Sequence, residues 1–316
     1  MEPSAWGAAT IAGVTVNPGE RTDVDLHVGE LYTAERIHIP CTVIRGAVPG
    51  PTLLIVAAVH GDELNGVATV RALLYEDALA LLRGTLLLVP VANVYGFLHQ
   101  SRTMPDQRDL NRHFPGSAGG SGASRVAHRI MSELVVHADY VIDLHTAGRS
   151  RDNLPHVRAD LRDPRVAALA RAFGCDVILA HAGHGGSLRH AATAAGIPTV
   201  TYEAGEPLKF QRPCIDIGAR GCRSVMADLG MIRGAVVAGE PLVVSRSSWV
   251  RADRGGILDL LVGLGQGVSA GEPVAVSSNP FGKERTTLVA PMEGIVLGRT
   301  SLPMVNPGDA VCCIAA

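Results

Sequence analysis

Leu53-Leu54-Ile55-Val56-Ala57-Ala58-Val59-His60-Gly61-Asp62-Glu63-Leu64-Asn65-Gly66 is the stretch that decides the fold. Its apolar half follows the turn signal Pro49-Gly50-Pro51 and has the length of a buried strand. That strand is expected to run to His60, so a histidine and a carboxylate three residues apart stand at its end. In open α/β sheets, ligands bind in the crevice beyond the carboxyl ends of the strands. His60 and Glu63 are therefore candidate metal ligands, provided the following turn starts a helix. Asp62 is the competing carboxylate, but one position earlier on a helical turn it should point elsewhere.

Outward from this stretch, strand and helix signals alternate. Val14 to Gly46 alternates apolar and polar residues, as antiparallel edge strands do. Asn65 to Arg83 carries Val67, Val70, Leu73, Leu74, Leu81 and Leu82 at helical spacing. Strands are expected at Thr85 to Val91, Tyr140 to His145, Asp176 to Ala180 and Ile197 to Glu203, with helices at Arg125 to His137, Val166 to Phe173 and Leu188 to Ala195. Such alternation implies a mostly parallel or mixed sheet flanked by helices. Beyond about Gly230 the pattern becomes short strands and Gly/Pro turns, a small β domain. The expected division is an α/β domain with N-terminal edge strands over residues 1–235 and a C-terminal β domain over residues 236–316. The end of the latter, Leu288 to Val296, resembles the sandwich of biotinyl and lipoyl carrier domains. It lacks a hairpin-tip lysine flanked by methionines, and a fold alone confers no activity.

Composition narrows the function classes. With 316 residues, 47% of them hydrophobic, the chain can bury a full core. The 28 Lys+Arg against 30 Asp+Glu form no basic stripe, which disfavours nucleic acid as a partner. Apolar runs such as Leu86 to Val91 are far short of the roughly 20 residues of a membrane span. The start, Met1 to Gly13, lacks the pattern of a signal peptide. None of the six cysteines forms a C-x-x-C pair, so reduced thiols in the cytoplasm are expected. The composition leaves a homo-oligomer open.

Three strand ends deliver polar residues to one sheet edge: His60, His145 and Glu203. A lone strand-end histidine is most often a structural residue capping loop carbonyls. Three such ends, one with Glu63 beside it, strain that account. Two imidazoles and a carboxylate with an open fourth position are the donor set of catalytic zinc, and one Zn²⁺ per chain is expected. Zinc acidifies bound water, and a second carboxylate must then move the proton. Glu203 is the candidate, with Glu206 as local rival in the following loop.

The segment Tyr95 to Ser124 has no period, and unpatterned connections of this length are often functional. It carries Arg102, Arg108 and Asp109-Leu110-Asn111-Arg112-His113. Arginine presents a planar fork suited to carboxylates, so beside a zinc site this segment becomes a substrate-carboxylate grip. The loop Gly183 to Ser187 and Arg189 are expected to border the pocket and read the acyl end; no P-loop lysine follows its glycines. His181 and His184 raise the idea of a second metal, but a catalytic zinc needs only three protein ligands. Gly116 to Ser124 reads as a flexible loop or lid.

His60-Gly61-Asp62-Glu63, Asp109-Leu110-Asn111-Arg112, Asp143-Leu144-His145 and Glu203, in that order, resemble the succinylglutamate desuccinylase/aspartoacylase family of the zinc carboxypeptidase clan. The likeness spans about Val56 to Glu206. It implies a zinc carboxypeptidase-like fold, with His60, Glu63 and His145 as zinc ligands and Glu203 as general base for a zinc-bound water. It implies Arg102 (or Arg108) at the oxyanion, Asn111 and Arg112 on the substrate's α-carboxylate, and Asp109 orienting a zinc-bound histidine. The implied enzyme is a zinc-dependent amidohydrolase that deacylates an N-acyl amino acid or related small N-acyl compound. In the family a C-terminal β lobe narrows the entrance. The alternatives are a zinc carboxypeptidase acting on peptides, weakened by the absence of a pocket tyrosine, and a non-catalytic metal-dependent binding protein.

Overall fold

Leu53 to Ala57 alternate between two cores, which is why the run carries no polar residue. Leu54 and Val56 face one helical layer, while Leu53, Ile55 and Ala57 face the other. A strand covered on both sides must be apolar throughout. In the computed structural model, which describes residues 6–75, 83–237 and 239–316, this run lies at the centre of a wide mixed sheet.

The first two strands, β1 (Ala9–Ile11) and β2 (Val14–Val16), form a small hairpin. Then follow β3 (Arg21–Glu30), β4 (Arg36–Arg45), β5 (Val48–Ala57), α1 (Leu64–Leu74), β6 (Arg83–Val89) and α2 (Val94–Leu98). After them come α3 (Gly122–Glu133), β7 (Tyr140–His145), β8 (Arg151–Ala159), α4 (Pro164–Phe173), β9 (Val177–Ala180), α5 (Leu188–Ala194), β10 (Thr199–Gly205) and α6 (Arg212–Asp228). The C-terminal part consists of β11 (Leu242–Val244), β12 (Ser247–Arg251), β13 (Gly256–Leu260), β14 (Gly267–Val268), β15 (Pro273–Ser278), β16 (Thr286–Val289), β17 (Gly294–Thr300), β18 (Met304–Val305) and β19 (Ala310–Ala315).

The parallel centre runs β10-β7-β5-β6. Antiparallel β4 and β3 extend it on one side, as the alternating N-terminal pattern implies. On the other side β8 pairs antiparallel with β10, and through β17 the sheet continues into β19 and β12. Strands β16-β15-β13-β18 form a second, all-antiparallel sheet closing its own core of Leu258, Val274, Leu288 and Val311. Lys283 lies in the β15–β16 turn between Gly282 and Glu284, without flanking methionines. Helices α3 and α5 cover one face of the large sheet, and α1, α4 and α6 the other. Among the described residues, no helix is long and apolar enough to cross a membrane. All six cysteines are buried free thiols.

Several expected boundaries shift. β5 ends at Ala57, three residues before His60, because Ala58 turns the chain at φ 49° and Asn93 N–H donates to its carbonyl. The helix after Asn65 is described to Leu74; Leu81 and Leu82 lie outside the described residues, and Arg83 already opens β6. β8 and α6 lie where no element was expected. The segment after Tyr95 holds α2, a tight Met104–Arg108 turn and a 3-10 turn at Leu110–Arg112. Ser121, in the glycine-rich stretch, caps α3 through its hydroxyl.

Candidate metal centre and active site

His60, Glu63 and His145 converge at the carboxyl ends of β5 and β7. Their ligand atoms all lie within 4.8 Å of one another, and all three residues are buried. His60 Nδ1 lies 2.7 Å from Glu63 Oε1, and His145 Nδ1 lies 2.8 Å from Glu63 Oε2 and 3.2 Å from His60 Nδ1. Glu63 is the residue just before α1, so the turn does start a helix and brings both side chains to one point. Gly61 allows it: a Cβ there would stand 2.0 Å from the Gly96 carbonyl carbon of α2. Among the described residues this is the one group of three or more ligand-type side chains so arranged.

The outer nitrogens of both imidazoles meet carboxylates. His60 Nε2 is 3.0 Å from Asp109 Oδ1. His145 Nε2 is 2.9 Å from Asp143 Oδ2, an ion-pair contact rather than an aligned hydrogen bond. Such partners fix the ring orientation of metal-binding histidines. Burial alone would lower the His60 pKa, but Glu63 and Asp109 outweigh it and raise it above the ordinary 6.5. For His145, Asp143 and Glu63 outweigh burial in the same way. Burial would raise the Glu63 pKa, yet the two imidazoles pull it well below the carboxylate range. Two imidazoles among three carboxylates make a site that calls for positive charge. The donor set, burial and outer partners fit a single zinc held by His60, Glu63 and His145.

Arg102 spans the cluster: Nη1 donates to Glu63 Oε1 at 2.9 Å and Nη2 to Asp109 Oδ2 at 3.1 Å. Arg108 points away, exposed and paired with Asp106. Asp109 Oδ1 also accepts from Asn111 N–H, which fixes the turn carrying Asn111 and Arg112. Asn111 Oδ1 accepts from Leu188 N–H, tying that turn to the start of α5. Arg112 is exposed at the cavity rim, while Arg189 is buried and donates to the His181 carbonyl. Burial first, then Arg158, lowers the Arg189 pKa to about 10.

Glu203 is the strand neighbour of His145 in the β10–β7 register, so its Cα is about 4.8 Å from that of His145. Asn153 Nδ2 donates to its Oε2 at 3.0 Å, and Arg158 Nε lies 3.5 Å from its Oε1. Glu206 instead pairs with Lys209, and His181 accepts from Gly183 N–H. His60, Glu63, Arg102, Asp109, Asn111, Arg112, His145, Arg189 and Glu203, all expected from the sequence, line one cavity of about 490 Å³.

Asp143, Arg151, Asn153, Arg158 and Trp249, to which the sequence alone assigns no role, line the same cavity. Asp143 carries a readable signal, because two residues before His145 it shares that strand's face. Trp249 comes from β12, and the Arg151 guanidinium stacks 4.8 Å from its ring centre. The C-terminal strands therefore wall the site.

The family model of the succinylglutamate desuccinylase/aspartoacylase catalytic domain matches residues 49–229. The Nα-acetyl-L-2,4-diaminobutyric acid deacetylase of Halomonas elongata is 29% identical over 294 residues, covering 88% of this chain and 86% of that protein. A crystal structure of a succinylglutamate desuccinylase/aspartoacylase from Rhodobacter sphaeroides superposes with TM-score 0.83 at 25% identity, covering 94% of this chain and 95% of that one. The product-bound ectoine utilization protein EutE of Ruegeria pomeroyi shares the fold, with TM-score 0.84 at 24% identity and the same coverage. The matched model, together with the buried two-histidine, one-glutamate cluster at the strand ends, places this chain in the succinylglutamate desuccinylase/aspartoacylase family.

Proposed function

We propose that the protein is a zinc-dependent deacylase that hydrolyses the amide bond of a small N-acyl amino acid. The observation that carries this reading is the placing of Glu203 beside the His60–Glu63–His145 cluster within one cavity. A bound zinc would polarise the acyl carbonyl and lower the pKa of water. Glu203 takes the proton from the attacking water and returns it to the leaving amine. Arg102 has five N–H donors, of which Glu63 and Asp109 occupy two. The remaining donors serve the developing oxyanion. Asn111 Nδ2 and the Arg112 fork hold the α-carboxylate. A binding protein would have no need of a base at this position, and a cavity of about 490 Å³ suits a small molecule better than a peptide.

Charge refines the substrate. Six arginines (102, 112, 149, 151, 158 and 189) line the cavity, against the carboxylates of Glu63, Asp109, Asp143 and Glu203. Glu63 is committed to the metal, Asp109 and Asp143 to the histidines, and Glu203 to the proton. No carboxylate is spare for a cationic side chain, so the cavity favours N-acyl amino acids with neutral or acidic side chains. The Halomonas elongata relative, by its name, deacetylates a diaminobutyrate derivative. A panel of N-acetyl and N-succinyl derivatives of aspartate, glutamate, alanine and 2,4-diaminobutyrate, assayed with zinc and with chelator, tests this. Chelator-sensitive turnover is expected, fastest on the anionic members. Turnover confined to the diaminobutyrate derivative would overturn the charge argument, and Glu203→Gln with wild-type kcat would overturn the base.

A further inference from the structure

Strand β8 reaches both oxygens of the Glu203 carboxylate, through Asn153 at Oε2 and Arg158 beside Oε1. In the antiparallel β8–β10 register, Glu203 stands opposite His156 and Thr201 opposite Arg158, so these four share one face. His156 is fully buried. Its Nδ1 lies 2.7 Å from the Leu154 carbonyl, and its Nε2 lies 3.2 Å from Arg158 Nε. A guanidinium N–H can only donate, so Nε2 accepts and Nδ1 carries the ring hydrogen toward Leu154. The single Nε–H of Arg158 is thereby spent on His156, although Glu203 Oε1 is only 3.5 Å away. Burial, then the Arg158 charge, pulls the His156 pKa down to about 3, so the ring stays neutral.

Asn153 has a comparable support. On its outer side it stands opposite Gly298 of β17. A Cβ on Gly298 would lie 2.8 Å from Asn153 Oδ1, closer than the amide tolerates. The bare glycine leaves that amide where its Nδ2 reaches Glu203.

We propose that β8 is a clamp on the general base, with His156 and Gly298 as its positioning residues. His156 diverts the Arg158 Nε–H, leaving Oε1 with a free lone pair for the proton, while Gly298 seats Asn153 on Oε2. The clamp rests on the reading of Glu203 as base, and it brings a C-terminal strand into the catalytic geometry.

The test compares His156→Leu, which removes the acceptor, with His156→Gln, which supplies another. In His156→Leu the Arg158 Nε–H turns to Oε1, and kcat should fall about tenfold to a hundredfold, with KM and bound zinc unchanged. His156→Gln should recover most of that loss, and Gly298→Ala should lower kcat with KM again unchanged. In a Glu203→Gln background, His156→Leu should add nothing. A second readout needs no metal: imidazole ¹⁵N NMR of the metal-free wild type should show His156 as the Nδ1–H tautomer, not titrating between about pH 5 and pH 8. A His156 that titrates in that range overturns the clamp, even if the variants fail to fold. So does wild-type kcat in His156→Leu, or a glutamine variant no better than leucine. If Glu203→Gln is inactive while His156→Leu is unimpaired, the clamp falls and the base stands; if Glu203→Gln keeps turnover, the base itself falls.

Discussion

The His60–Glu63–His145 cluster and the wall of arginines line one cavity, yet they are built by different means. His60 and His145 side chains are 4% and 3% exposed and Glu63 1%, held by the turn from β5 into α1 and by the end of β7 in the middle of the sheet. Arg102 and Arg158 are each 32% exposed and stand on a loop and on an antiparallel strand. A buried cluster responds to change all at once, because removing one member strands the charges of the others. Apart from the buried Arg189, the wall's arginines keep water as a partner and so act by degrees. The two regions should therefore give different kinds of mutational response.

The largest effect belongs to the cluster. His145→Ala should bind no stoichiometric metal and show only background turnover, as metal analysis and assay of the purified protein will read. Metal retained at one per chain would break the assignment of His145 as a ligand.

Arg102 lies on the border between the two regions and sharpens the comparison. Arg102→Met should lower kcat about 10²–10³-fold through the lost oxyanion donor. Because Arg102 also braces Glu63 and Asp109, metal affinity should fall about 10–100-fold. Assays at saturating zinc separate the two effects. If saturating metal restores kcat, Arg102 is a brace and not an oxyanion donor.

The next effect is a pH dependence. The His60 and His145 pKa values are raised in the metal-free cluster, so the protonated rings stabilise the fold fully below their ordinary 6.5. That contribution is lost as pH rises through the folded values. Glu63 is shifted the other way, so its contribution is present above its ordinary 4.5 and is lost only in strong acid. Metal needs unprotonated rings, so each displaced proton makes apparent affinity rise about tenfold per pH unit. The melting temperature of the chelated protein should fall above pH 6.5, while that of the zinc-loaded protein holds. Melting curves with and without chelator that stay a constant distance apart would contradict the ligand set.

The same contrast explains what could be read in advance. Tyr140 to His145 is a strand residue for residue, since an apolar run buried on both faces leaves a plain mark. β8 left none. Its Arg151-Asp152-Asn153-Leu154-Pro155-His156-Val157-Arg158 mixes charge with a proline, and it is a strand because β10, β17 and β9 pair with it. Those partners come from three distant parts of the chain, and no local period records them. The candidate ligands His60, Glu63 and His145 are legible from the apolar strands that precede them, whereas Trp249 enters the cavity only through sheet pairing that residue types do not encode.

Arg112 shows the wall's graded behaviour most directly. Its side chain is exposed and donates from Nη1 to the neighbouring Asn111 carbonyl, so removing it strands no buried charge. Arg112→Ala should leave folding and metal content unchanged. It should raise KM several-fold for substrates with a free α-carboxylate, about 1 kcal/mol, because solvent screens an exposed ion pair. The α-amides of the same substrates lack the charge that Arg112 meets, so their KM should hardly move. A loss shared equally by acids and amides would mean that Arg112 shapes the rim without reading the carboxylate, and the grip would then rest on Asn111 and the deeper arginines.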